Sequence, residues 1–419
     1  MSLKDAAGVN IIGGGLAGSL LAILLARRGF KVTVYERRPD PRVSKVDAGR
    51  SINMALAARG IRGLELAGVL ERVMSFAIPM RGRMVHEHDG TAVLQAYGVR
   101  PEEVIYSVSR ADLNRALIEA ADELPNVAFR FGQLSLGLAS GRNVIELRDE
   151  VTGHIYHADA QPSIATDGGG SRVRDSLLAR EVATVREDPL DHDYKELTIP
   201  AVNGKPALEV NALHIWPRGG FMLIALPNPD ATFTATLFLA RTGANSFEQL
   251  NSPAAVEEFF TREFPSAKAL MPDLVREFFE HPQSSLGTVY TKGWHLDGDV
   301  LLLGDAAHAI VPFHGQGMNC AFEDCAELMR LMDEHHGWAG LFEAFEHARK
   351  PNTDAIAQMA LENYIEMREA VLDPEYRKKK AEAEALEKKD PNFIPRYSMV
   401  MFHPEIEYRE ALRAGLNSR

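Results

Sequence analysis

Residues 9–36 read VNIIGGGLAGSLLAILLARRGFKVTVYE, and their apolar spacing changes period twice. The run VNII predicts a short buried strand, the apolar stretch that ends at Gly29 predicts a helix, and KVTVYE predicts a second strand. Two strands joined by one helix form a βαβ unit, in which the strands run parallel and the crossover is right-handed. This stretch therefore predicts an α/β fold built around a parallel sheet.

Three glycines of one motif span the turn after the first strand and the start of the helix. They are Gly13, Gly15 and Gly18, in the spacing G-x-G-x-x-G. Gly13 permits the tight turn, Gly15 lets the backbone approach a pyrophosphate, and Gly18 lets the helix pack closely on the strand. The helix start offers free N–H groups and a partial positive charge to phosphate oxygens. This context predicts a dinucleotide site rather than a glycine-rich turn without a ligand.

Further cofactor contacts are expected on both sides of this helix. Leu16 and Ala17 form its first turn, and Glu36 ends the second strand with Arg37 directly after it. A carboxylate at Glu36 can accept hydrogen bonds from both ribose hydroxyls and would repel the 2′-phosphate of NADP. The glycine fingerprint alone leaves FAD and NAD open as ligands.

A second motif, GDAAHAIVPFHGQGMN at 304–319, bears on this choice. It follows a predicted strand, and its Asp305 can hydrogen-bond a polyol chain such as ribitol. The run GQGMN opens a helix whose N–H groups can stabilise the electron-rich edge of a reduced isoalloxazine. NAD has neither a ribitol nor an anionic ring edge, so the motif favours FAD. The expected contacts are Gly304, Asp305, Gly317, Met318 and Asn319.

The composition excludes several classes of protein. The 419 residues include 46 Lys plus Arg against 58 Asp plus Glu, and the formal charge of −12 argues against general nucleic-acid affinity. No apolar run approaches the length of a membrane span, and the N-terminus lacks the apolar core of a signal peptide. Cys320 and Cys325 lie on a predicted helix and point to different faces, so no disulfide is expected between them. We expect a cytoplasmic protein without a membrane partner.

The remaining periodicity predicts an inserted sheet and a helical end. Residues 191–240 contain β-rich runs separated by PRGG and PNPD turns, which predicts an antiparallel sheet with one solvated face. Helices are expected around 51–74, at 109–124 beginning with Ser109, at 253–280 and over most of 318–390, where 377–390 is a solvated charged helix.

These elements give an α/β fold class: a Rossmann-type FAD-binding domain with an inserted antiparallel-sheet substrate domain and a C-terminal helical region. The predicted bounds are 1–75, 105–180 and 290–330 for the discontinuous FAD-binding domain, 76–104 and 181–289 for the substrate domain, and 331–419 for the helical region.

A third motif, DGGGSRVRDSLL at 167–178, places an Asp-Gly pair before a helix. With all three motifs in this order, the sequence resembles the FAD-dependent aromatic hydroxylases, which are single-component flavoprotein monooxygenases. The resemblance implies that Asp167 and Gly168 serve both FAD and NADPH, and that Arg110 lies near the flavin. It also implies that NADPH is a transient co-substrate, which agrees with the presence of only one dinucleotide fingerprint.

Further segments resemble one branch of these hydroxylases, the kynurenine 3-monooxygenases. The segments are RSINMALAARG (50–60), MRGRMVH (80–86), NALHIWPRG (211–219), VPFHGQGMNCAFED (311–324), ALENYIEM (360–367) and FIPRYSMV (393–400). The resemblance implies hydroxylation of L-kynurenine to 3-hydroxykynurenine by a flavin C4a-hydroperoxide, with NADPH and O₂ as co-substrates.

The resemblance also implies a set of substrate residues. L-kynurenine carries an amino-acid zwitterion, and its carboxylate would be bound by the guanidinium of Arg83, with Tyr97, Asn363 and Tyr397 completing that end. The aryl ketone needs a flat apolar slot, closed at the reacting ring by Phe313 and His314. The residues expected to line this slot from one face of the sheet are Leu213, Met222, Ile224, Leu226 and Phe238.

Pro312, His314 and Gln316 are the expected groups at the reaction centre, where they would position the substrate. No obligate general base is expected, because an aniline ring is already electron-rich without deprotonation. Each of these side chains also has an ordinary structural interpretation, and Arg83 could be a surface arginine.

The other histidines are expected to have no metal-binding role. His308 has no carboxylate or cysteine at a ligand spacing, and HEH at 86–88 is expected to be a strand or loop with solvated histidines.

Two features depart from the hydroxylase pattern. Ala165-Thr166 replaces the usual Gly-Ala pair before Asp167, and Pro162 interrupts the expected strand. The bulkier threonine is expected to shift the pyrophosphate contact or the approach of NADPH. The chain also ends about where hydroxylases of this branch carry a further C-terminal segment.

Three alternatives remain open from the sequence. A hydroxylase of another small aromatic would leave Arg83 and its neighbours without a role. A flavin-binding redox sensor would show no substrate-dependent oxygen consumption, and an NAD-dependent dehydrogenase would be colourless. The oligomeric state is also open, with a homodimer among the assemblies expected.

Overall fold

The structure is a computed structural model that describes residues 3, 8–43, 53–159, 162–368, 374–390 and 392–417. In chain order the strands are β1 (Val9–Ile12), β2 (Val32–Glu36), β3 (Asn53–Leu56), β4 (Ile78–Met80), β5 (Gly82–His86), β6 (Ala92–Ala96), β7 (Ile105–Ser109), β8 (Val127–Phe131), β9 (Gln133–Leu138), β10 (Ile145–Asp149), β11 (Ile155–His157), β12 (Ser163–Ala165), β13 (Thr184–Ile199), β14 (Leu213–Pro217), β15 (Met222–Pro227), β16 (Phe233–Ala240), β17 (Gln283–Lys292), β18 (His295–Leu296) and β19 (Val300–Leu302).

The longest helices follow the last strand. In chain order the helices are α1 (Leu16–Arg27), α2 (Ala58–Leu66), α3 (Leu70–Met74), α4 (Arg110–Asp122), α5 (Arg172–Ala179), α6 (Pro253–Glu263), α7 (Pro265–Lys268), α8 (Leu274–Glu280), α9 (Asp305–His308), α10 (Gly317–Met332), α11 (Trp338–Arg368), α12 (Pro374–Lys389), α13 (Arg396–Met401) and α14 (Tyr408–Asn417).

The nucleotide motifs lie on a six-stranded sheet with the order β18-β19-β12-β1-β2-β8. All neighbouring strands in it run parallel except β18, which pairs antiparallel with β19 at the edge. The predicted βαβ unit is confirmed, because β1 and β2 are parallel neighbours joined by α1. Parallel pairing brings the carboxyl ends of β1, β12 and β19 side by side. The turn after each of these strands carries one of the three glycine motifs.

Two predictions around α4 and α2 have opposite outcomes. The helix at 109–124 is confirmed as α4, where the Ser109 hydroxyl accepts a hydrogen bond from the Asp112 N–H as an N-cap. The single helix around 51–74 is wrong, because β3 occupies the start of its described part and α2 and α3 follow it. The run NMAL forms a strand because β7 pairs with it over four residues, a long-range contact that local periodicity does not reveal. Residues 51 and 52 lie outside the described part of the chain.

The inserted sheet has seven strands in the order β17-β13-β16-β15-β14-β5-β6. The antiparallel prediction is confirmed for all neighbouring pairs except β14 with β5, which run parallel. The prediction of one solvated face is wrong. Trp216, Leu223 and Leu237 pack under α6 to α8 on one face, and Met222 and Phe238 pack toward α11 on the other. The helices on both faces bury nearly all of β14, β15 and β16.

The helical end of the chain returns to contact α2 and the segment before β7. The predicted helices at 253–280 and 318–390 are confirmed, and 377–390 forms most of the charged helix α12. Glu387 of α12 is nevertheless buried, and its carboxylate lies 3.5 Å from the Arg100 guanidinium. Arg59 of α2 donates hydrogen bonds to the carbonyls of His403 and Ile406, which clamps the segment between α13 and α14.

The fold class predicted from the sequence is confirmed. The division into domains stays a prediction, although the two main sheets are separate and each has its own apolar cluster. Cys320 and Cys325 are both buried and free, as expected. Among the helices that the structure describes, none is long and apolar enough to cross a membrane.

Candidate active site

The fingerprint turn lies at the carboxyl end of β1, between β2 and β12. Gly13 has a φ of +103°, and a Cβ on it would lie 2.6 Å from the Thr166 carbonyl oxygen. A Cβ on Gly18 would lie 2.0 Å from the Gly13 carbonyl oxygen, so only glycine lets α1 approach the turn this closely. Nothing lies within 4 Å of a Cβ built on Gly15, which leaves that side of the turn open to a ligand.

The start of α1 faces this open side with unused N–H groups. The Ser19 N–H donates the first intrahelical bond, to the Gly15 carbonyl at 2.9 Å. The N–H groups of Leu16 and Ala17 lie before it and have no acceptor within the helix. They are therefore oriented to bind phosphate oxygens.

Glu36 stands beside the turn at the end of β2. Its Oε2 accepts from the Gly14 N–H at 2.7 Å, and its Oε1 accepts from the Arg38 N–H at 2.8 Å. The carboxylate is half-buried and Arg37 is exposed. Glu36 thus orients the fingerprint turn through both carboxylate oxygens.

The Gly-Asp turn after β19 lies directly against α1. Gly304 has a φ of +63°, its N–H donates to Asp324 Oδ2 at 3.2 Å, and a Cβ on it would lie 3.6 Å from Ala17. Asp305 is accessible to solvent. The surrounding protein raises the pKa of the Asp305 carboxyl, against the attraction of His308 and Arg110. The turn therefore offers an accessible carboxyl where α1 and α10 meet, a region called the cleft below.

The start of α10 closes the same cleft. The Cys320 N–H donates the first intrahelical bond, to the Gln316 carbonyl at 2.8 Å. The N–H groups of Gly317, Met318 and Asn319 precede it and project beyond the helix start. The Asn319 side chain is fully engaged with the backbone around the end of β3 and with the turn before α10. A cofactor contact from Asn319 would therefore come from its backbone.

The Asp-Gly turn after β12 joins the other two motifs. Gly168 has a φ of +85°, and Asp167 Oδ2 accepts from the Arg172 N–H at 3.0 Å. Asp167 Oδ1 has no hydrogen-bond partner among the described residues, and burial raises the pKa of this carboxyl. The Arg174 guanidinium donates to the carbonyls of Gly169 and Ala306, which ties this turn to α9.

These groups fit FAD. Two helix starts with unused N–H groups, an open glycine, a buried carboxylate oxygen without a partner and the carboxyl of the cleft converge at neighbouring strand ends. This arrangement suits a ligand with a pyrophosphate, a polyol and an electron-rich ring edge. The contact of each residue with FAD stays a proposal.

The expected substrate residues of the sheet share one face, next to the Gly-Asp loop. Met222 pairs with Phe238 and Leu213 pairs with Arg83, so these side chains lie side by side across neighbouring strands. Paired residues point to the same face of a sheet. The five predicted slot residues all belong to the apolar clusters on this face: Leu213, Met222, Ile224, Leu226 and Phe238.

The polar end of this face is centred on Arg83, which is buried rather than on the surface. Its guanidinium carbon lies 5.0 Å from the ring centre of Tyr397 and 5.9 Å from that of Tyr97. The two tyrosine rings stack at 5.9 Å. Arg83 Nη1 lies 3.8 Å from Glu366 Oε1 of α11. A guanidinium and a carboxylate therefore stand side by side, and the guanidinium lies next to the stacked pair of phenol rings.

Asn363 and Phe313 connect this end to the loop before α10. The Asn363 amide donates to the Phe313 carbonyl at 2.6 Å. The Phe313 ring meets Phe238 edge-on at 5.0 Å and stacks on Tyr364 at 3.8 Å. The amide of Asn363 thus holds the loop that carries Phe313, and Phe313 lies against the slot.

His314 is buried between the polar end and the loop. Its ring stacks on Tyr397 at 5.4 Å, and its Nδ1 has no hydrogen-bond partner among the described residues. Burial, followed by the charges of Arg83 and Arg396, lowers the pKa of His314 to about 3. His314 is therefore neutral at ordinary pH and can accept or donate a hydrogen bond without carrying charge.

The structure separates the other two residues expected at the reaction centre. Pro312 is exposed at the start of the short turn before His314. The Gln316 amide is buried, with its Oε1 accepting from the Tyr408 hydroxyl at 2.7 Å and its Nε2 against Met401 Sδ at 3.0 Å. Both ends of the Gln316 amide are engaged by the C-terminal helices, which favours a role in fixing the start of α10.

His86 of the HEH sequence is buried, so the prediction of solvated histidines is wrong for it. It stacks on Trp216 at 4.2 Å, and its Nε2 lies 2.8 Å from His214 Nδ1. His214 Nε2 lies 2.8 Å from the carbonyl of Glu209, so it must donate there and leave Nδ1 as the acceptor. His88 is exposed, as expected. Alternation along β5 places His86 under the sheet and His88 beyond its end.

His308 has the carboxylate and cysteine neighbours that its sequence spacing did not reveal. One ligand atom from each of His308, Cys320 and Asp324 lies within 4.8 Å of the others. His308 Nε2 lies 2.6 Å from Asp324 Oδ2, and the Arg349 guanidinium lies 2.6 Å from Asp324 Oδ1. Burial acts to raise the pKa of Asp324, but His308 and Arg349 bring it below its usual range. The guanidinium supplies the positive charge here, so the cluster is an ion-pair network beneath the Gly-Asp turn.

Sequence reasoning missed Glu366, Asp324 and the use of the Thr166 hydroxyl. Glu366 lies three residues after Asn363 on a predicted helix, a spacing that puts both on one face. That spacing was a signal for Glu366. Asp324 and Thr166 act through contacts to distant turns, for which the sequence offers no local signal.

Comparison with known proteins gives one family model and many relatives. The model described as an FAD binding domain matches residues 6–360. The chain is 47% identical over 409 residues to a kynurenine 3-monooxygenase of Myxococcus xanthus, covering 97% of this chain and 88% of that protein. It is 49% identical over 411 residues to a kynurenine 3-monooxygenase of Stenotrophomonas maltophilia, covering 97% and 89%.

Solved structures share the fold at lower sequence identity. The tetrameric form of 2-methyl-3-hydroxypyridine-5-carboxylic acid oxygenase has a TM-score of 0.71 and 20% identity, covering 96% of this chain and 98% of that chain. The p-nitrophenol 4-monooxygenase of Pseudomonas putida has a TM-score of 0.70 and 16% identity, covering 98% of each chain. At this identity the likeness concerns the fold alone.

Proposed function

The chain belongs to the kynurenine 3-monooxygenases, a family of FAD-dependent aromatic hydroxylases, and on that premise we propose that it hydroxylates L-kynurenine to 3-hydroxykynurenine with electrons from NADPH. A small aromatic substrate and O₂ follow from membership of the family. The kynurenine assignment depends chiefly on one observation, the buried Arg83 beside Glu366, next to the apolar face of β14 to β16.

The polar end is suited to an amino-acid zwitterion. Arg83 presents a planar fork to a carboxylate, and the neighbouring Glu366 presents a negative charge to an ammonium group. Tyr97 and Tyr397 flank the guanidinium, and burial raises the pKa of both phenols, so they remain hydrogen-bond donors. An aromatic acid without an ammonium group would use the Arg83 guanidinium but not the negative charge of Glu366.

The slot is suited to the aryl ketone. Met222, Ile224 and Phe238 give it an apolar wall, and Phe313 closes it next to the loop before α10. A ring held there is shielded from water and lies between the polar end and the cofactor cleft. The protein's contribution is therefore orientation and exclusion of water.

FAD, reduced by NADPH, would supply the activated oxygen when it is bound. Asp305 and the N–H groups at the start of α10 would hold its ribitol and ring edge, and the fingerprint turn with Glu36 would hold its pyrophosphate and ribose. His314 is neutral, so it would position the ring without withdrawing a proton from the aniline. Asp167 and Gly168 are the proposed contacts for both FAD and the transient NADPH, and Arg110 is proposed to lie near the flavin.

The experiment is NADPH oxidation by the FAD-loaded protein with and without L-kynurenine, combined with mass spectrometry of the product. We expect L-kynurenine to stimulate oxidation and to yield a product heavier by one oxygen atom. Anthranilate and 4-hydroxybenzoate, which lack the amino-acid group, serve as controls. Stimulation by a control with no reaction of L-kynurenine would refute the substrate assignment, while a colourless protein that binds no FAD would contradict the flavin site.

A further inference from the structure

We propose that the Thr166 hydroxyl is a positioning group for FAD, because it holds the fingerprint turn in the form that presents N–H groups to the pyrophosphate. The inference concerns FAD binding and is independent of which aromatic substrate the protein hydroxylates. It assigns a role to the residue that departs from the pattern of the related hydroxylases.

The first step is the acceptor of this hydroxyl. Thr166 Oγ1 lies 2.8 Å from the Gly13 carbonyl oxygen and 3.1 Å from the Ile12 carbonyl oxygen. The Ile12 carbonyl already accepts the Thr166 N–H at 2.8 Å. A hydroxyl donates one proton, and the shorter distance and the unoccupied acceptor both direct it to Gly13.

The second step is the state of the rest of the turn. The Gly13 N–H donates to the Tyr35 carbonyl at 2.8 Å, and the Gly14 N–H donates to the Glu36 carboxylate at 2.7 Å. The Ser19 hydroxyl donates to the Gly14 carbonyl at 3.1 Å. Both peptide groups that flank Gly13 are therefore fixed. Residues of β2 accept from the N–H groups of Gly13 and Gly14, and Thr166, directly after β12, donates to the Gly13 carbonyl.

The third step is the space that Thr166 occupies. A Cβ on Gly18 would lie 2.6 Å from Thr166 Oγ1, so the hydroxyl fills the gap between β12 and the first turn of α1. A methyl group of similar size would face the Gly13 carbonyl without donating to it. Loss of the hydroxyl would thus leave the turn packed, with the Gly13–Gly14 peptide held only through the Gly14 N–H bond to Glu36.

The consequence is preorganisation. The N–H groups that follow the fixed peptides, from Gly15 into the start of α1, keep their orientation before FAD arrives. A ligand then loses less conformational freedom of the protein on binding, which lowers its dissociation constant. The threonine therefore strengthens the pyrophosphate site, where the sequence alone had suggested a disturbance.

The experiment is titration of the apoprotein with FAD, followed by the quenching of flavin fluorescence. We expect Thr166→Val to raise the Kd for FAD about three- to tenfold, the effect of one hydrogen bond, and Thr166→Ser to stay within about twofold of the parent. Ser176→Ala is the matched control. The Ser176 hydroxyl donates to the Arg172 carbonyl and accepts from the Leu138 N–H, so it makes no bond to the fingerprint turn.

Thermal midpoints of apoprotein and holoprotein separate positioning from general stability. Thr166→Val should reduce the gain in midpoint that FAD confers, whereas a purely structural role would lower both midpoints equally. An unchanged Kd in Thr166→Val, or an equal rise in Thr166→Ser, would overturn the proposal. If Thr166→Val does not fold, Thr166→Ala is measured against Thr166→Ser with the same criteria.

Discussion

At the scale of single residues, the position of Arg83 determines which substrates the pocket can select. A buried guanidinium needs a negative partner, and Glu366 provides a carboxylate at 3.8 Å. The guanidinium also lies 5.0 Å from the ring centre of Tyr397. A distance of 3.8 Å is long for a charge-assisted hydrogen bond. The Arg83 side chain also interacts with Tyr97 and Tyr397, so an incoming carboxylate would meet a guanidinium already oriented by its neighbours.

We expect Arg83→Ala to raise the KM for L-kynurenine tenfold or more, equivalent to about 1.5–3 kcal/mol for a lost charge-assisted bond, with FAD affinity unchanged. Steady-state kinetics and an FAD titration measure the two effects. Arg81→Ala is the matched control, since Arg81 is exposed two residues before Arg83 and its backbone bonds to Asn211 and Tyr97 would remain. Loss of FAD in Arg83→Ala, or an equal effect in Arg81→Ala, would assign Arg83 a structural role.

The sequence predicted side chains best where their direction follows from a strand period. The five slot residues share one face because alternate residues of β15 and β16 point the same way. It predicted them least well where a partner lies far along the chain. Thr166 bonds to Gly13 and Gln316 bonds to Tyr408, and no local pattern reports such pairs.

At the scale of elements, β5 and β14 are joined by more than their backbone pairing. The rings of His86 and His214 share a hydrogen bond under the sheet, and Trp216 stacks on His86. Burial, His214 and Arg218 lower the pKa of His86 to about 4, and burial also lowers the pKa of His214. Both rings are therefore neutral when the two strands are in place.

This pair predicts a loss of stability in mild acid. An unfolded histidine has a pKa near 6.5, so between about pH 6.5 and pH 4 the unfolded chain binds protons that the folded chain does not. The free energy of unfolding should therefore fall as the pH falls through this window. Urea denaturation at intervals from pH 7.5 to pH 4.5 measures it.

His86→Gln keeps an N–H donor toward His214 and removes the titrating group, so its stability should depend less steeply on pH. His88→Gln is the matched control, because His88 is exposed two residues away on the same hairpin. Parallel pH curves for the parent and both variants would show that other groups account for the acid sensitivity.

Element type was predictable where a segment is stabilised mainly by its own neighbours. The periodicity of α4 and its Ser109 cap identified that helix together with its start. The strand β3 was misread because β7 supplies its partner, and the second face of the large sheet was misread because α6 to α8 return to cover it. Each error comes from a contact between segments that are distant in sequence.

At the scale of the whole molecule, Arg59 connects α2 to the end of the chain. Its buried guanidinium lies 4.0 Å from the Tyr408 ring centre and pairs with Glu323 of α10. It also donates to carbonyls of the segment that joins α13 to α14. Tyr397, at the polar end of the pocket, belongs to α13, so this clamp also supports the substrate site.

We expect Arg59→Ala to destabilise the protein by roughly 3 kcal/mol or more, because it removes one partner of a buried ion pair. It should also raise the KM for L-kynurenine by releasing α13. Thermal unfolding, kinetics and limited proteolysis of the last thirty or so residues measure these effects. Arg62→Ala is the control on an exposed position of the same helix. If stability falls while the KM stays at the parent value, Arg59 stabilises the fold but does not support the substrate site.

The order of the nucleotide motifs along the chain has a consequence for biosynthesis. β1 begins at Val9 and β19 at Val300, yet only β12 lies between them in the sheet. Such pairings give the domain a high contact order, and a nascent chain must keep its early strands soluble until the last one leaves the ribosome. FAD can be incorporated only after that point. Substitutions that slow the docking of β19 should therefore lower the yield of flavinated protein without altering any group that touches the cofactor.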